Sequence, residues 1–171
     1  FADGLAWFEA LRASAPVDDW DPIQRGTLAL SIGDFRRWSG DTAGARESYQ
    51  AAADLVRDKT DATYPNSEAL ALSALAYSGL GDHAAALRYV KMLADAPLAV
   101  DAINGAAGKE SIARTLARLG DRDAAIAALE RVAKEPGMMT IEQVRLDPDF
   151  DTLHGHPQFE KLLAEGMTRL E

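Results

Sequence analysis

The sequence contains no cysteine, which excludes disulfides and thiolate metal sites and leaves the redox compartment open. No apolar run approaches the ~20 residues needed to span a bilayer, and no secretory leader pattern is present. Positive charge is scarce: 18 Lys and Arg against 27 Asp and Glu give a net charge of −9. Phosphate backbones demand a basic face, so nucleic acid is not an expected partner. An anionic membrane surface is disfavoured for the same reason. No serine sits in a Gly-x-Ser-x-Gly elbow and no thiol nucleophile exists, so no catalytic residue and no cofactor are implied. No segment alternates like a strand between hairpin turns.

What the chain does have is helix punctuation, repeated. Ala117–Gly137 reads as a helix ending at Gly120-Asp121, a second helix with Ala125, Leu129 and Val132 at helical spacing, and a stop at Pro136-Gly137. The same grammar recurs at Gly40-Asp41 and at Gly81-Asp82, the latter with Pro97 as the stop. The turn glycines fall at 40, 81 and 120, a period near 40 residues that signals an array of stacked helical hairpins. One hairpin cannot hide its apolar face alone, so neighbours stack and share a core. A hydrophobic share of 47% and a charged share of 26% suit a packed chain rather than a disordered one. At 171 residues it would bury about 70% of its unfolded surface.

Aligned on those turns, Gly33, Ala74 and Ala113 share one place in the first helices, and Ala45, Ala86 and Ala125 share one in the second. This pattern resembles the tetratricopeptide (TPR) repeat family, in which both places are small because paired helices cross closely there. Tyr77 fits the family's usual aromatic, while Arg36 and Leu116 depart from it; Tyr49, Val90 and Leu129 fill a usually large place. The family's tryptophan is replaced by Ala29, Leu70 and Lys109, and its tyrosine by Thr42, His83 and Arg122, so the repeats are degenerate.

Val144–Leu163 carries a second resemblance, to the tail that closes TPR-containing bacterial signalling proteins of the Ser/Thr kinase, nucleotide-cyclase or winged-helix types. Arg145, Leu146, Asp147, Pro148, Phe150, Asp151, Leu153, Pro157, Phe159, Leu162 and Leu163 match it; Thr152 and His154 depart. None of those effector domains is in this sequence, and the chain starts at Phe1 rather than Met, which suggests a piece of a longer protein. A cytoplasmic location is favoured, and a periplasmic one stays open if an upstream membrane anchor exists.

The expected fold is all-α: a TPR-like α-α superhelix forming a single domain over 1–171. An N-terminal capping helix (1–25) precedes repeats at 26–59, 67–100 and 106–139, and capping helices follow at 140–171. Asp3 should cap the first helix, which ends at Pro16 and the acidic Asp18 and Asp19. Asp21-Pro22 should open the next, which runs to about Ser39. Asp41, Asp82 and Asp121 should cap the second helices and Asn66 the helix ending near Leu80. Gly105 and Gly108 each weaken a helix by ~1 kcal/mol, so 98–108 reads as a turn leading into a helix to Leu119. Asp147-Pro148 and His156-Pro157 each read as a helix start.

Several constellations fail as chemical sites. Asp147, Asp149 and Asp151 alternate, but a calcium loop needs Gly at its sixth place and Glu at its twelfth, where Thr152 and Gln158 stand; capping is the better reading. His154 and His156 lie two apart and would point to different helix faces, and His83 falls at a turn, so no metal site is expected. Gly105 to Ser111 lacks the leading glycine and the hydroxyl of a phosphate loop.

The remaining candidate is the concave face, which the family resemblance lines with first-helix residues: Asp34, Arg37 and Trp38, then Glu68, Ala71, Leu75 and Ser78, then Glu110, Arg114 and Arg118. Members that grip a terminal carboxylate place asparagine where this chain has Asp34, Leu75 and Arg114, so that clamp is absent. Ordinary solvent contact is the competing reading. Trp38 is either an exposed binding anchor or packed on the N-terminal helix beside Trp7. The expected function is a non-catalytic protein-interaction or scaffold module that binds a protein or peptide of mixed charge, with self-association as a further partner class. The rival readings are a structural spacer or oligomerisation module, and a small-molecule sensor or enzyme pocket in the groove.

Overall fold

In the computed structural model, residues 1–61, 66–96, 104–133 and 139–167 are described. The chain is all-α, with no strand among the described residues. Its helices are α1 (Ala2–Ser14), α2 (Pro22–Trp38), α3 (Thr42–Thr60), α4 (Ser67–Leu80), α5 (His83–Asp95), α6 (Asn104–Arg118), α7 (Arg122–Ala133), α8 (Ile141–Leu146) and α9 (Pro157–Met167). Short 3₁₀ turns occupy Val17–Asp19 and Pro148–Leu153. Among the described residues no helix is long and apolar enough to cross a membrane. The chain divides into two compact units, Phe1–Tyr89 and Val90–Glu171.

The Gly-Asp turns form by one mechanism, used three times. Gly40, Gly81 and Gly120 take φ of 85°, 77° and 80°, the left-handed region that a side chain disfavours. That bend brings the next N–H back onto the helix just ended: Asp41 to the Arg36 carbonyl at 2.9 Å, Asp82 to Tyr77 at 3.0 Å and Asp121 to Leu116 at 3.1 Å. The same aspartates then face forward. Their carboxylates accept from Gly44, Ala85 and Ala124 N–H at 2.9, 3.0 and 3.1 Å. One residue thus closes a helix through its backbone and opens the next through its side chain.

Other starts follow the sequence. Asp21 caps α2 with Gln24 returning the bond to the Asp21 N–H, and Pro22 leads the helix. Asn66 caps α4 through Ala69 N–H at 3.0 Å. Two expectations are corrected. Asp3 does not cap α1: Phe1 stands at that place without a side-chain bond and Asp3 lies in the first turn. The helix before Gly120 begins at Asn104, with Gly105 and Gly108 inside it; burial of Ala113, Leu116 and Ala117 outweighs glycine's poor propensity. The stops at Pro97 and Pro136-Gly137, and residues 98–103 of the expected turn, lie outside the described residues.

Small residues set the packing of the first unit. Tyr49 of α3 is fully buried between Gly33 of α2 and Gly79 of α4. A Cβ at Gly33 would come within 2.7 Å of its ring and one at Gly79 within 2.4 Å, so only glycine lets the ring pass. Ala45, Ala52 and Ala69 are buried in the same core. α1 rests on α2 through Phe8 on Phe35, 5.3 Å between ring centres, and an ion pair of Glu9 with Arg36 at 2.8 Å. Tyr77 and Tyr89 stack at 5.5 Å.

The second unit is a hairpin completed by the tail. α6 and α7 contribute Ala113, Leu116, Ala125, Ile126 and Leu129, and the tail adds Val144, Phe150, Leu153, Phe159, Leu162 and Leu163 to the same core. Ala125 is fully buried there, whereas Ala127 on the same helix is exposed. Ala125→Leu is expected to overpack the core and destabilise by ~1–3 kcal/mol. Ala127→Leu should stay within about 0.5 kcal/mol of the parent. Thermal melts of the pair check this; equal melting temperatures would refute the packing register.

Candidate functional site

The expected partner-binding residues fall in both units, and each set has its own surroundings. In the first unit Asp34 is buried and accepts a 2.7 Å hydrogen bond from the Tyr49 hydroxyl, which in turn accepts from Arg37 Nε at 3.1 Å. Asp34 therefore anchors the buried ring from within the fold. Arg37 also lies over the Trp38 ring at 5.5 Å. Trp38 is half-buried and packs on Phe1 and Phe35, both 5.2 Å away. Of the two alternatives for Trp38, packing on the N-terminal segment is the one observed, against Phe1; Trp7 pairs with Phe8 instead and, like Phe1, is exposed. On α4, Glu68 is exposed, Ala71 half-buried, and Leu75 and Ser78 buried.

In the second unit Glu110, Arg114 and Arg118 succeed one another along α6, four residues apart, on one face. The chain's own tail covers that face. Arg118 donates to Asp149 at 2.7 Å, and Arg114 contacts Asp147 at 2.7 Å, Glu110 at 3.2 Å and Asp149 at 4.0 Å. The Asp149 side chain is wholly buried and that of Arg118 is 4% exposed. Asp147 also accepts from the Asp149 N–H at 3.0 Å, starting the 3₁₀ turn that drives Phe150 and Leu153 into the core. A buried ion pair of this kind gains little over an apolar pair of the same shape, but losing one partner strands the other.

Burial also sets the acid–base behaviour of the cluster. It pushes the Asp147 and Glu110 carboxyls above their ordinary values, with Arg114 opposing it in both. Their folded forms therefore bind protons more tightly than the unfolded chain does. As pH falls through the raised values towards the ordinary carboxylate range near 4, these two groups add stability; above that window they detract from it. Asp147, read as capping rather than as a calcium ligand, does cap the 3₁₀ turn, and both Asp147 and Asp149 are engaged by arginine. Among the described residues no group of three or more His, Asp and Glu could hold a metal ion. His154 packs edge-on to Phe159, and His156 lies 3.4 Å from Asp123.

Two consequences can be measured. Asp149→Asn should destabilise by about 3–5 kcal/mol, because Arg118 is left buried without its carboxylate. Asp147→Asn retains the cap and relieves a desolvated charge, so at neutral pH it should melt at or above the parent temperature, and the difference should shrink on acidification. A large loss from Asp147→Asn with none from Asp149→Asn would reverse the assignment.

Sequence reasoning placed the tail beside the repeats but did not join Asp149 to Arg118. The i, i+4 spacing of Glu110, Arg114 and Arg118 beside a doubly acidic Asp-Pro-Asp was the available signal. Residues 110–135, most of α6 and all of α7, match the family model of the tetratricopeptide repeat. No curated protein and no solved structure gives a significant match to the chain.

Proposed function

We propose that this chain is a non-catalytic protein-interaction module of the TPR type, serving as a binding or scaffold segment of a larger bacterial signalling protein. The observation that carries the reading is that α6 already grips a peptide segment, Asp147-Pro148-Asp149-Phe150, by pairing arginines with its carboxylates. Both arginines lie in the stretch matching the repeat family, and a tetratricopeptide repeat suggests protein partners. The signalling context rests on the resemblance of Val144–Leu163 to the closing tail of such proteins.

The expected groove residues then divide by role. Arg114 and Arg118 hold the tail and Glu110 pairs with Arg114, with the partly exposed edges of Glu110 and Arg114 left for an outside ligand. Asp34, Arg37 and Trp38 shape the α2 face, and Glu68 and the edge of Leu75 supply contact from α4. Each unit by itself presents both signs, so a partner of mixed charge suits either set, since a face of both signs favours local complementarity over long-range steering.

The test is capture of a partner with the whole chain as bait, followed by titration of the purified partner against parent and Glu68→Lys. Saturable binding weakened about fivefold or more by Glu68→Lys is the expected result. If the chain captures nothing beyond a folded control protein, the spacer reading becomes the better account.

A further inference from the structure

A cleft of about 450 Å³ opens between α7, α8 and α9, away from the α6 face that the tail covers. Val132, Met139, Ile141 and Leu162 give it an apolar lining. Met139 and Ile141 are only half-buried, so apolar surface stays in reach of solvent. α8 and α9 approach closely at one end: a Cβ on Gly166 would come within 2.5 Å of the Ile141 side chain.

The rim is acidic. Glu130, Glu142 and Glu165 stand around the lining against one described cation, Lys161, which pairs with Glu165 at 3.5 Å. Glu130 is half-buried, where a carboxylate gains more from a cationic partner than it would in open water. Neither Glu130 nor Glu142 has an ion pair or hydrogen bond among the described residues.

Resting on the interaction-module reading, we propose that this cleft is a docking site for a partner's peptide segment that carries an apolar side chain flanked by lysine or arginine. The apolar group fills the lining between Val132 and Ile141, and the flanking cations pair with Glu130 and Glu142. The chemistry selects against a fatty acid, whose carboxylate meets three others. A neutral ligand would leave the rim unused.

The probe is a synthetic amphipathic peptide with leucines at helical spacing between lysines. Two companions replace the lysines by glutamate or the leucines by serine. Binding to the full chain is followed by fluorescence anisotropy, and its place by the methyl resonances of Met139 in the cleft and Met92 in α5. The leucine–lysine peptide should bind saturably and move Met139 but not Met92, with both companions about tenfold weaker or worse. The double reversal Glu130→Lys, Glu142→Lys should lose about tenfold, while the charge-matched Asp18→Lys, Asp19→Lys loses far less. Circular dichroism checks that both variants stay folded.

Equal loss in the two double variants would mean only the net charge is sensed, and would overturn the site. So would a shift of Met92 in place of Met139, or equal movement of Met139 by a fatty acid. Self-association that the Glu130, Glu142 reversal abolishes would assign the cleft to a second copy and also overturn the proposal. A natural partner that binds the chain but ignores Glu130 and Glu142 would leave the module reading standing and remove this site. Failure of the leucine–lysine peptide to bind removes the site whatever the capture experiment finds.

Discussion

The second unit is organised by the carboxylate of Asp149, buried and held by Arg118 at 2.7 Å with Arg114 beyond it at 4.0 Å. A charge removed from water in this way must be paired, or the fold loses several kcal/mol. The pairing fixes where the tail crosses α6. From that crossing the 3₁₀ turn delivers Phe150 and Leu153, and α9 adds Phe159, Leu162 and Leu163, to the apolar side of the α6–α7 hairpin. The tail is thus the hairpin's missing neighbour. A single helical hairpin leaves one face open, and here the closing face comes from the same chain.

The first unit meets the same problem differently. Its tight contact is made by what is missing, the side chains of Gly33 and Gly79, so that Tyr49 can pass between α2 and α4. Asp34 then satisfies the tyrosine hydroxyl inside the fold. In both units a first-helix carboxylate or guanidinium, of the kind that faces a ligand in the repeat family, is turned to an internal task.

The sequence reading was most reliable where one residue had one local job. Gly40, Gly81 and Gly120 needed a left-handed turn and Asp41, Asp82 and Asp121 needed to cap, and both are short-range requirements. Ala45, Ala86 and Ala125 were legible because small residues recurring at a fixed spacing have few causes besides close packing. Asp34 and Asp149 were not legible as buried groups, since nothing within a few residues of each reveals the partner. Those partners, Tyr49 and Arg118, lie 15 and 31 residues away. The start of α6 was misjudged because propensity counts glycine against a helix and cannot count the core that Ala113 and Leu116 enter. Asp149 is not among the residues that match the tail pattern, so the resemblance offers no guidance there.

The central claim is that the tail is an integral wall of the second unit. Hydrogen exchange of the α6 amides, compared between the full chain and a chain ending at Met139, tests it most directly. Removing the tail strips Phe150, Leu153, Phe159, Leu162 and Leu163 from the core and leaves Arg118 without Asp149. The account predicts that protection across Ile112–Arg118 collapses to the level of a fraying helix. Unchanged protection in the shortened chain would contradict it, and would show that the hairpin closes its own core.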